Sequence, residues 1–156
     1  MSTEAPVSNQ SPDRDESSVA TGKVKLIVGG LTFNGRLEAQ AAPESVAWLA
    51  QRLPLDGILL QARWSGEAGW MPLGIELKLD PENAMTYPHP GQVLLYAGGD
   101  SEPELLVPYG ACEFASRAGA LAGNHVITLE GDITHLRVLG ETLQHHGGQS
   151  LRLTWQ

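Results

Sequence analysis

Apolar and polar residues alternate along much of this chain, and alternation with a period of two is typical of β-strands. Residues 24–28 and 31–39 predict a pair of strands joined by the tight turn that Gly29–Gly30 favours. Asn34–Gly35 is also a strong hairpin dipeptide, and a turn there would change the register of the pair. Residues 150–155 alternate again and predict a last strand.

Two segments repeat their apolar residues every three or four positions, which is the period of an amphipathic helix. The first predicted helix covers residues 43–53 and ends before Pro54, because proline cannot continue a helix. The second covers residues 133–146, with Asp132 as a suitable N-cap and Gly147 as a suitable residue after the last turn. The predicted buried stripes are Val46, Leu49, Ala50 and Leu53 in the first helix and Ile133, Leu136, Leu139 and Leu143 in the second.

The middle of the chain predicts further strands, which cover residues 57–64, 70–79, 92–96, 104–107 and 125–130. Residues 80–91 hold several prolines and predict an irregular surface crossover. Residues 109–123 predict a mixed segment with a short helical turn. About eight strands in this order can close into a barrel, which removes exposed sheet edges, and two helices can cover its open ends. We therefore expect a mainly β fold, a closed eight-stranded barrel with two helices.

Composition divides the chain into two parts. Residues 1–21 are rich in Ser, Glu, Asp, Pro and Gln, with few large apolar groups, and predict a disordered tail. Residues 22–156 are predicted to form one domain, since 156 residues is the length of a single domain. The single cysteine, Cys112, cannot form an internal disulfide, which favours a reducing compartment such as the cytoplasm.

The charge balance limits the partners. The chain has 18 acidic against 10 basic residues, and an acidic surface repels both nucleic acids and anionic membranes. No apolar run approaches the roughly 18 residues of a membrane helix, and no secretory signal pattern opens the chain. We expect a cytoplasmic protein with neither nucleic acid nor a membrane as its partner.

Four segments, residues 62–66, 90–99, 108–110 and 114–125, resemble an uncharacterised bacterial family of small cyclophilin-like proteins. The most specific segment is the last, Phe-Ala-Ser-Arg-Ala-Gly-Ala-Leu-Ala-Gly-Asn-His. The resemblance covers about residues 24–155 and implies a cyclophilin-like barrel with a cleft on one face, without an assigned activity. True cyclophilins place an arginine near a phenylalanine and follow it with a Phe-Met-Gln-Gly-Gly-Asp-like run. Arg63 lacks both features, which argues against prolyl isomerisation.

Several residues in or near these segments suit a small-molecule cleft. Arg63 belongs to a predicted apolar strand and has a planar guanidinium that matches carboxylates, although it could instead face solvent. Trp64 and Trp70 could stack on a ligand or fill the core. Glu102 and Glu104 would share one face of a strand, where paired carboxylates can divide acid and base roles; the alternative is a solvated, charged edge.

The remaining candidates each have a structural alternative. The aromatic rings of Tyr96, Tyr109 and Phe114 suit a cleft or ordinary barrel packing. Asn124 and His125 can orient a ligand or transfer protons, with the Ser116 hydroxyl near in sequence, or His125 can be a structural histidine. The candidate ligand-binding residues are Arg63, Tyr96, Glu104, Tyr109, Phe114, Ser116, Asn124 and His125.

The sequence favours a protein that binds, and could transform, a small polar or anionic metabolite in a cleft on the barrel. It predicts no cofactor and no metal site, because His145 and His146 point about 100° apart on a helix and no metal motif occurs. Prolyl isomerisation is the first alternative. The second is a non-catalytic interaction module or homo-oligomer, which the four tryptophans suggest.

Overall fold

The structure of the chain is a computed structural model that describes residues 22–156, so the tail predicted over residues 1–21 lies outside the described residues. The helices are α1 Pro43–Ala50 and α2 His135–His146. The strands are β1 Lys23–Val28, β2 Leu31–Leu37, β3 Leu55–Gln61, β4 Gly66–Pro72, β5 Ala84–Met85, β6 Gln92–Tyr96, β7 Glu104–Cys112, β8 Ala115–Ser116, β9 Gly119–Ala120, β10 Gly123–Glu130 and β11 Gln149–Trp155. Neither helix is long and apolar enough to span a bilayer.

Eight strands form a closed antiparallel barrel, which confirms the predicted fold class. The order around the barrel is β2-β1-β11-β3-β4-β7-β6-β10, and β10 pairs with β2 to close the ring. The short strand β5 adds to β10 at one end, and β8 and β9 form a separate two-stranded hairpin. Closure leaves no long unpaired edge among these eight strands, so main-chain groups of all of them have partners on both sides.

The first hairpin turns at Gly29–Gly30, as predicted, and not at Asn34–Gly35. The two turn glycines have φ of 56° and 82°, which is the left-handed region that a two-residue turn of this kind requires. Gly35 lies inside β2, where a Cβ would come within 3.0 Å of Ile127 on β10. A glycine at this position lets β2 and β10 approach closely, and the pairing of these two strands closes the barrel.

Several predicted boundaries are wrong. Helix α1 ends at Ala50 and not at residue 53, because the residue before a proline avoids helical geometry. Strand β4 covers residues 66–72 and not 70–79. Helix α2 begins at His135, and Ile133 is 41% exposed and outside the buried stripe. Residues 109–123 hold no helical turn, since β7 continues to Cys112 and the β8–β9 hairpin follows.

The apolar residues form two clusters on opposite sides of the barrel wall. The larger cluster fills the interior and includes Leu105 and Val107, together with Leu49 of α1 and Leu139 of α2. Leu106 points the other way, because neighbours on a strand face opposite sides. It belongs to a smaller outer cluster formed by Ala68, Leu94, Tyr96, Leu106, Phe114 and Leu121. The segment after β7, with its β8–β9 hairpin, therefore covers part of the outer wall.

Candidate functional site

A cleft of about 600 Å³ lies on the outer wall, beside the smaller apolar cluster. One side is the end of β3 with the loop to β4, and the other is the start of β7, strand β8 and the C-terminal end of α2. The side chains that matter for its chemistry are Arg63, Trp64, Trp70, Glu102, Glu104 and Ser116. A cleft of this volume accommodates a small metabolite.

The floor of the cleft is apolar. Leu60 of β3 pairs with Trp70 of β4, which in turn pairs with Leu106 of β7, so the three side chains form a row on the outer face. Leu106 is fully covered by the outer cluster, whereas Leu60 is 36% exposed and Trp70 is half-buried. Trp64, at the rim, is 56% exposed. Two indole rings are thus available to a planar ligand.

Ser65 fixes the loop between β3 and β4, although sequence reasoning did not select it as a site residue. Its buried hydroxyl accepts a hydrogen bond from the amide of Ala115 and donates one to the carbonyl of the same residue, each at 3.1 Å. Its carbonyl accepts from the amide of Glu113 at 3.2 Å. The loop that carries Arg63 and Trp64 is therefore tied to β8. Ser65 lies inside the family-like segment 62–66, which was the one indication of its importance.

Arg63 lies in this loop and not on a strand, because β3 ends at Gln61. Its side chain is exposed at the cleft. None of the ion pairs formed among residues 22–156 involves Arg63. An unpaired guanidinium at the rim of an apolar cleft is suited to a carboxylate, which it can hold through two parallel hydrogen bonds.

Glu104 is the most unusual group in the cleft. It begins β7, where it pairs with Pro72 on one side and Tyr96 on the other, and it is only 6% exposed. No hydrogen bond or ion pair reaches its carboxyl group from any residue in the range 22–156. Burial, together with the nearby carboxylate of Glu102, raises the pKa of Glu104 to about 8. Glu104 is therefore protonated at neutral pH. The solvated, charged edge that the sequence offered as an alternative for both glutamates describes only Glu102, which is exposed.

Tyr96 and Phe114 support the cleft from outside its lining. Their rings meet edge to face at 5.4 Å in the outer cluster. The Tyr96 hydroxyl accepts a hydrogen bond from the amide of Asp100 at 3.1 Å, which holds the turn that precedes Glu102. Ser116 of β8 does line the cleft, and its hydroxyl accepts from the amide of Ala118 at 3.1 Å.

Tyr109 joins three elements around the interior cluster. Its hydroxyl donates to Oε1 of Gln61 at 2.6 Å and accepts from Nε2 of Gln144 at 2.8 Å, which links β7 to β3 and α2. Its ring lies against Gly140 of α2, where a Cβ would come within 2.3 Å of Tyr109 Cε2. Tyr109 thus does not line the cleft, but it orients Gln61, which does.

Asn124 and His125 lie outside the cleft, so the structure does not bring them together with Arg63. The buried amide of Asn124 donates to Oγ of Ser45 at 2.9 Å and to the carbonyl of Asp80 at 3.0 Å. Its Oδ1 accepts from the amide of Glu82 at 3.1 Å. Asn124 therefore joins β10 to α1 and to the crossover that precedes β5.

His125 makes hydrogen bonds through both ring nitrogens. Nδ1 lies 3.3 Å from Nδ2 of Asn83, and Nε2 lies 3.1 Å from the carbonyl of Ile127. An amide donor at Nδ1 and a carbonyl acceptor at Nε2 require the neutral ring with its hydrogen on Nε2. Burial lowers the pKa of His125, which also favours the neutral ring. These contacts match the structural role that the sequence left open for this histidine.

The half-buried thiol of Cys112 has its pKa raised to about 11 by burial, so it is a thiol at neutral pH. Within the described part of the chain, no three His, Cys, Asp or Glu side chains are grouped so that they could hold a metal ion.

Comparison with known proteins gives a family and a fold. The profile of a family described as "Protein of unknown function (DUF3830)" matches residues 24–155. Among solved structures, McbB in complex with tryptophan is 19% identical with a TM-score of 0.68, over 85% of this chain and 44% of McbB. The hypothetical protein AF2241 from Archaeoglobus fulgidus is 14% identical with a TM-score of 0.53, over 87% of this chain and 95% of AF2241.

At these identities the two structures show a shared fold alone, and this chain spans less than half the length of McbB. No curated protein matches the sequence. The resemblance to an uncharacterised family is confirmed, whereas the relationship to cyclophilins stays a prediction.

Proposed function

The chain belongs to the DUF3830 family of proteins of unknown function, and from the geometry of its cleft we propose that it binds a small carboxylate. The observation that supports this most strongly is the exposed guanidinium of Arg63, which forms no ion pair within residues 22–156, at the rim of a cleft of about 600 Å³. A carboxylate placed there gains two charge-assisted hydrogen bonds, while the rest of the ligand covers the apolar floor.

The floor favours an aromatic ligand. Trp64 and Trp70 offer indole faces, and Leu60 adds apolar surface that is still exposed. Aromatic rings gain by stacking on such faces as well as by burial. McbB, which shares the fold, has been solved with tryptophan, an aromatic molecule that carries a carboxylate. We therefore include aromatic carboxylates in the proposed ligand class.

The test compares binding of 3-phenylpropionate and 3-phenylpropionamide by isothermal titration calorimetry. We expect the carboxylate to bind at least about tenfold more tightly than the uncharged amide, because a charge-assisted hydrogen bond is worth ~1.5–3 kcal/mol. Arg63→Gln should remove that preference. Arg137→Gln, the same change at an exposed arginine of α2, should bind as the wild type does. Equal binding by wild type and Arg63→Gln contradicts the proposal.

A second candidate, an interaction surface or homo-oligomer, is favoured by the exposed apolar side chains of Leu60 and Trp64 in the cleft and of Ile58 outside it. Light scattering that shows a strict monomer would count against the homo-oligomer. Prolyl isomerisation stays a prediction, and an isomerisation assay on a proline peptide tests it. A cytoplasmic location is also part of the proposal, and its support is the single cysteine.

A further inference from the structure

A carboxylate bound at Arg63 leaves the acidic side of the cleft, formed by Glu102 and Glu104, without a role. We propose that the ligand also carries a primary amine, which binds as an ammonium group to Glu104 beside Glu102, so that the ligand is a small amino acid. The inference rests on the proposed function, because Arg63 is the group that receives the carboxylate.

The first argument is the absence of any partner for a buried group. Glu104 is 6% exposed, lines the cleft, and has no hydrogen bond or ion pair within residues 22–156. Its cross-strand neighbours are Pro72, which has no polar side-chain atom, and Tyr96, whose hydroxyl lies at the amide of Asp100 and makes no hydrogen bond to Glu104. Buried polar groups in native proteins nearly always have partners, and no residue in the range 22–156 supplies one here, so we assign this role to a molecule bound in the cleft.

The second argument is the sign of the charge. The ionisable residues that line the cleft are Arg63, Glu102 and Glu104, and the other elements around it contribute none. Glu102 is exposed at the rim, and its carboxylate acts on Glu104. The carboxylate of Glu102 attracts a cation and repels an anion, and Glu104 adds to that attraction once a bound cation has favoured its ionised form. An amino acid presents the complementary pair of charges, an ammonium toward the glutamates and a carboxylate toward Arg63.

The third argument concerns the proton. Without a ligand, burial and Glu102 hold the pKa of Glu104 at about 8, so the free protein carries a proton there at pH 7. An ammonium beside the carboxyl group favours its ionised form, so Glu104 gives its proton to the buffer when the amine binds. A hydroxyl or amide in the same place would leave the proton on Glu104. Proton release therefore distinguishes an amine from a neutral polar group.

The experiment uses matched pairs, phenylalanine with 3-phenylpropionate and tryptophan with indole-3-propionate. Each is titrated calorimetrically into the protein at pH 7, in two buffers of different ionisation enthalpy. In the wild type we expect the amino acid to bind at least about tenfold more tightly than its partner without the amine. We also expect nearly one proton to be released for each amino acid bound, and none for the partner.

Glu104→Gln is expected to remove both the amine preference and the proton release, while 3-phenylpropionate still binds through Arg63. Glu141→Gln, an exposed carboxyl on α2, should retain both. Thermal unfolding of each variant shows that it is folded. Binding of the carboxylates with no preference for the amine, or a preference that Glu104→Gln retains, overturns the amine site and leaves the carboxylate site standing. Binding of neither member of a pair overturns both.

Discussion

Replacing Glu104 with glutamine removes an ionisable group and keeps the shape of a buried side chain. Burial and Glu102 raise the pKa of Glu104 to about 8 in the folded protein, from an ordinary value of 4.5. When folding raises the pKa of a carboxyl group, the contribution of that group to the free energy of unfolding is complete below its pKa in the unfolded chain. That contribution is lost as pH rises through the pKa of the folded protein. Glutamine does not titrate, so we expect Glu104→Gln to be more stable than the wild type at pH 7.

The magnitude follows from the same linkage. Each pH unit above the unfolded pKa lowers the stability of the wild type by ~1.4 kcal/mol, until the folded carboxyl group also ionises. The interval from 4.5 to pH 7 is about 2.5 pH units, which gives a difference of ~3 kcal/mol in favour of the variant at pH 7. The pH-dependent part of this difference disappears toward pH 4.5, where both forms of Glu104 are protonated.

Urea denaturation of the wild type and Glu104→Gln from about pH 5.5 to 8 measures this difference directly. Glu141→Gln is the control, since its exposed carboxyl group should give no such trend. A stability difference between Glu104→Gln and the wild type that stays constant over this pH range would mean that Glu104 ionises normally in the folded protein. That result would refute both the burial argument and the proton release expected on amine binding.

Two further predictions concern residues outside the cleft. Gly140→Ala should destabilise the protein by ~1–2 kcal/mol in urea denaturation, because a Cβ would lie 2.3 Å from the Tyr109 ring. This is the opposite of the usual effect, since alanine normally favours a helix by ~1 kcal/mol relative to glycine. A variant that is more stable than the wild type would contradict the packing of Tyr109 against α2. His125→Gln should lose part of the acid sensitivity of the wild type. The lowered pKa of His125 means that its contribution is complete above about pH 6.5 and is lost as pH falls. Identical pH profiles for wild type and variant would contradict this.

The sequence predicted the elements whose pattern is local. Helix α2, the turn at Gly29–Gly30 and strand β6 follow from nearby periodicity and from turn glycines. The extension of β7 past Val107 could not be predicted in this way, because Pro108 and Gly110 are residues typical of turns. They are extended because β4 pairs with β7 as far as Cys112, and that pairing joins residues far apart in sequence.

Only part of the site was predicted, because the residues that meet in the cleft are far apart along the chain. Arg63 and Glu104 share a cleft because β3, β4 and β7 are neighbours in the barrel. The family resemblance implied a cleft on one face of a barrel, but it did not say which strands are neighbours. Asn124 and His125 follow Gly123 closely in sequence, yet they face α1 and the crossover. A register irregularity between His125 and Ile127 changes which side of β10 each residue faces, and no residue type marks it.

The central claim is that a small carboxylate occupies the cleft beside Arg63, and an NMR titration with 3-phenylpropionate tests it most directly. The indole N–H signals of Trp64 and Trp70 report on the cleft, while that of Trp155, which is buried in the interior cluster, serves as an internal control. We predict saturable shifts at Trp64 and Trp70 that need at least about tenfold more ligand in Arg63→Gln, with Trp155 unchanged. Shifts that centre on Asn124 and His125, or shifts at the cleft that Arg63→Gln leaves intact, would contradict the account.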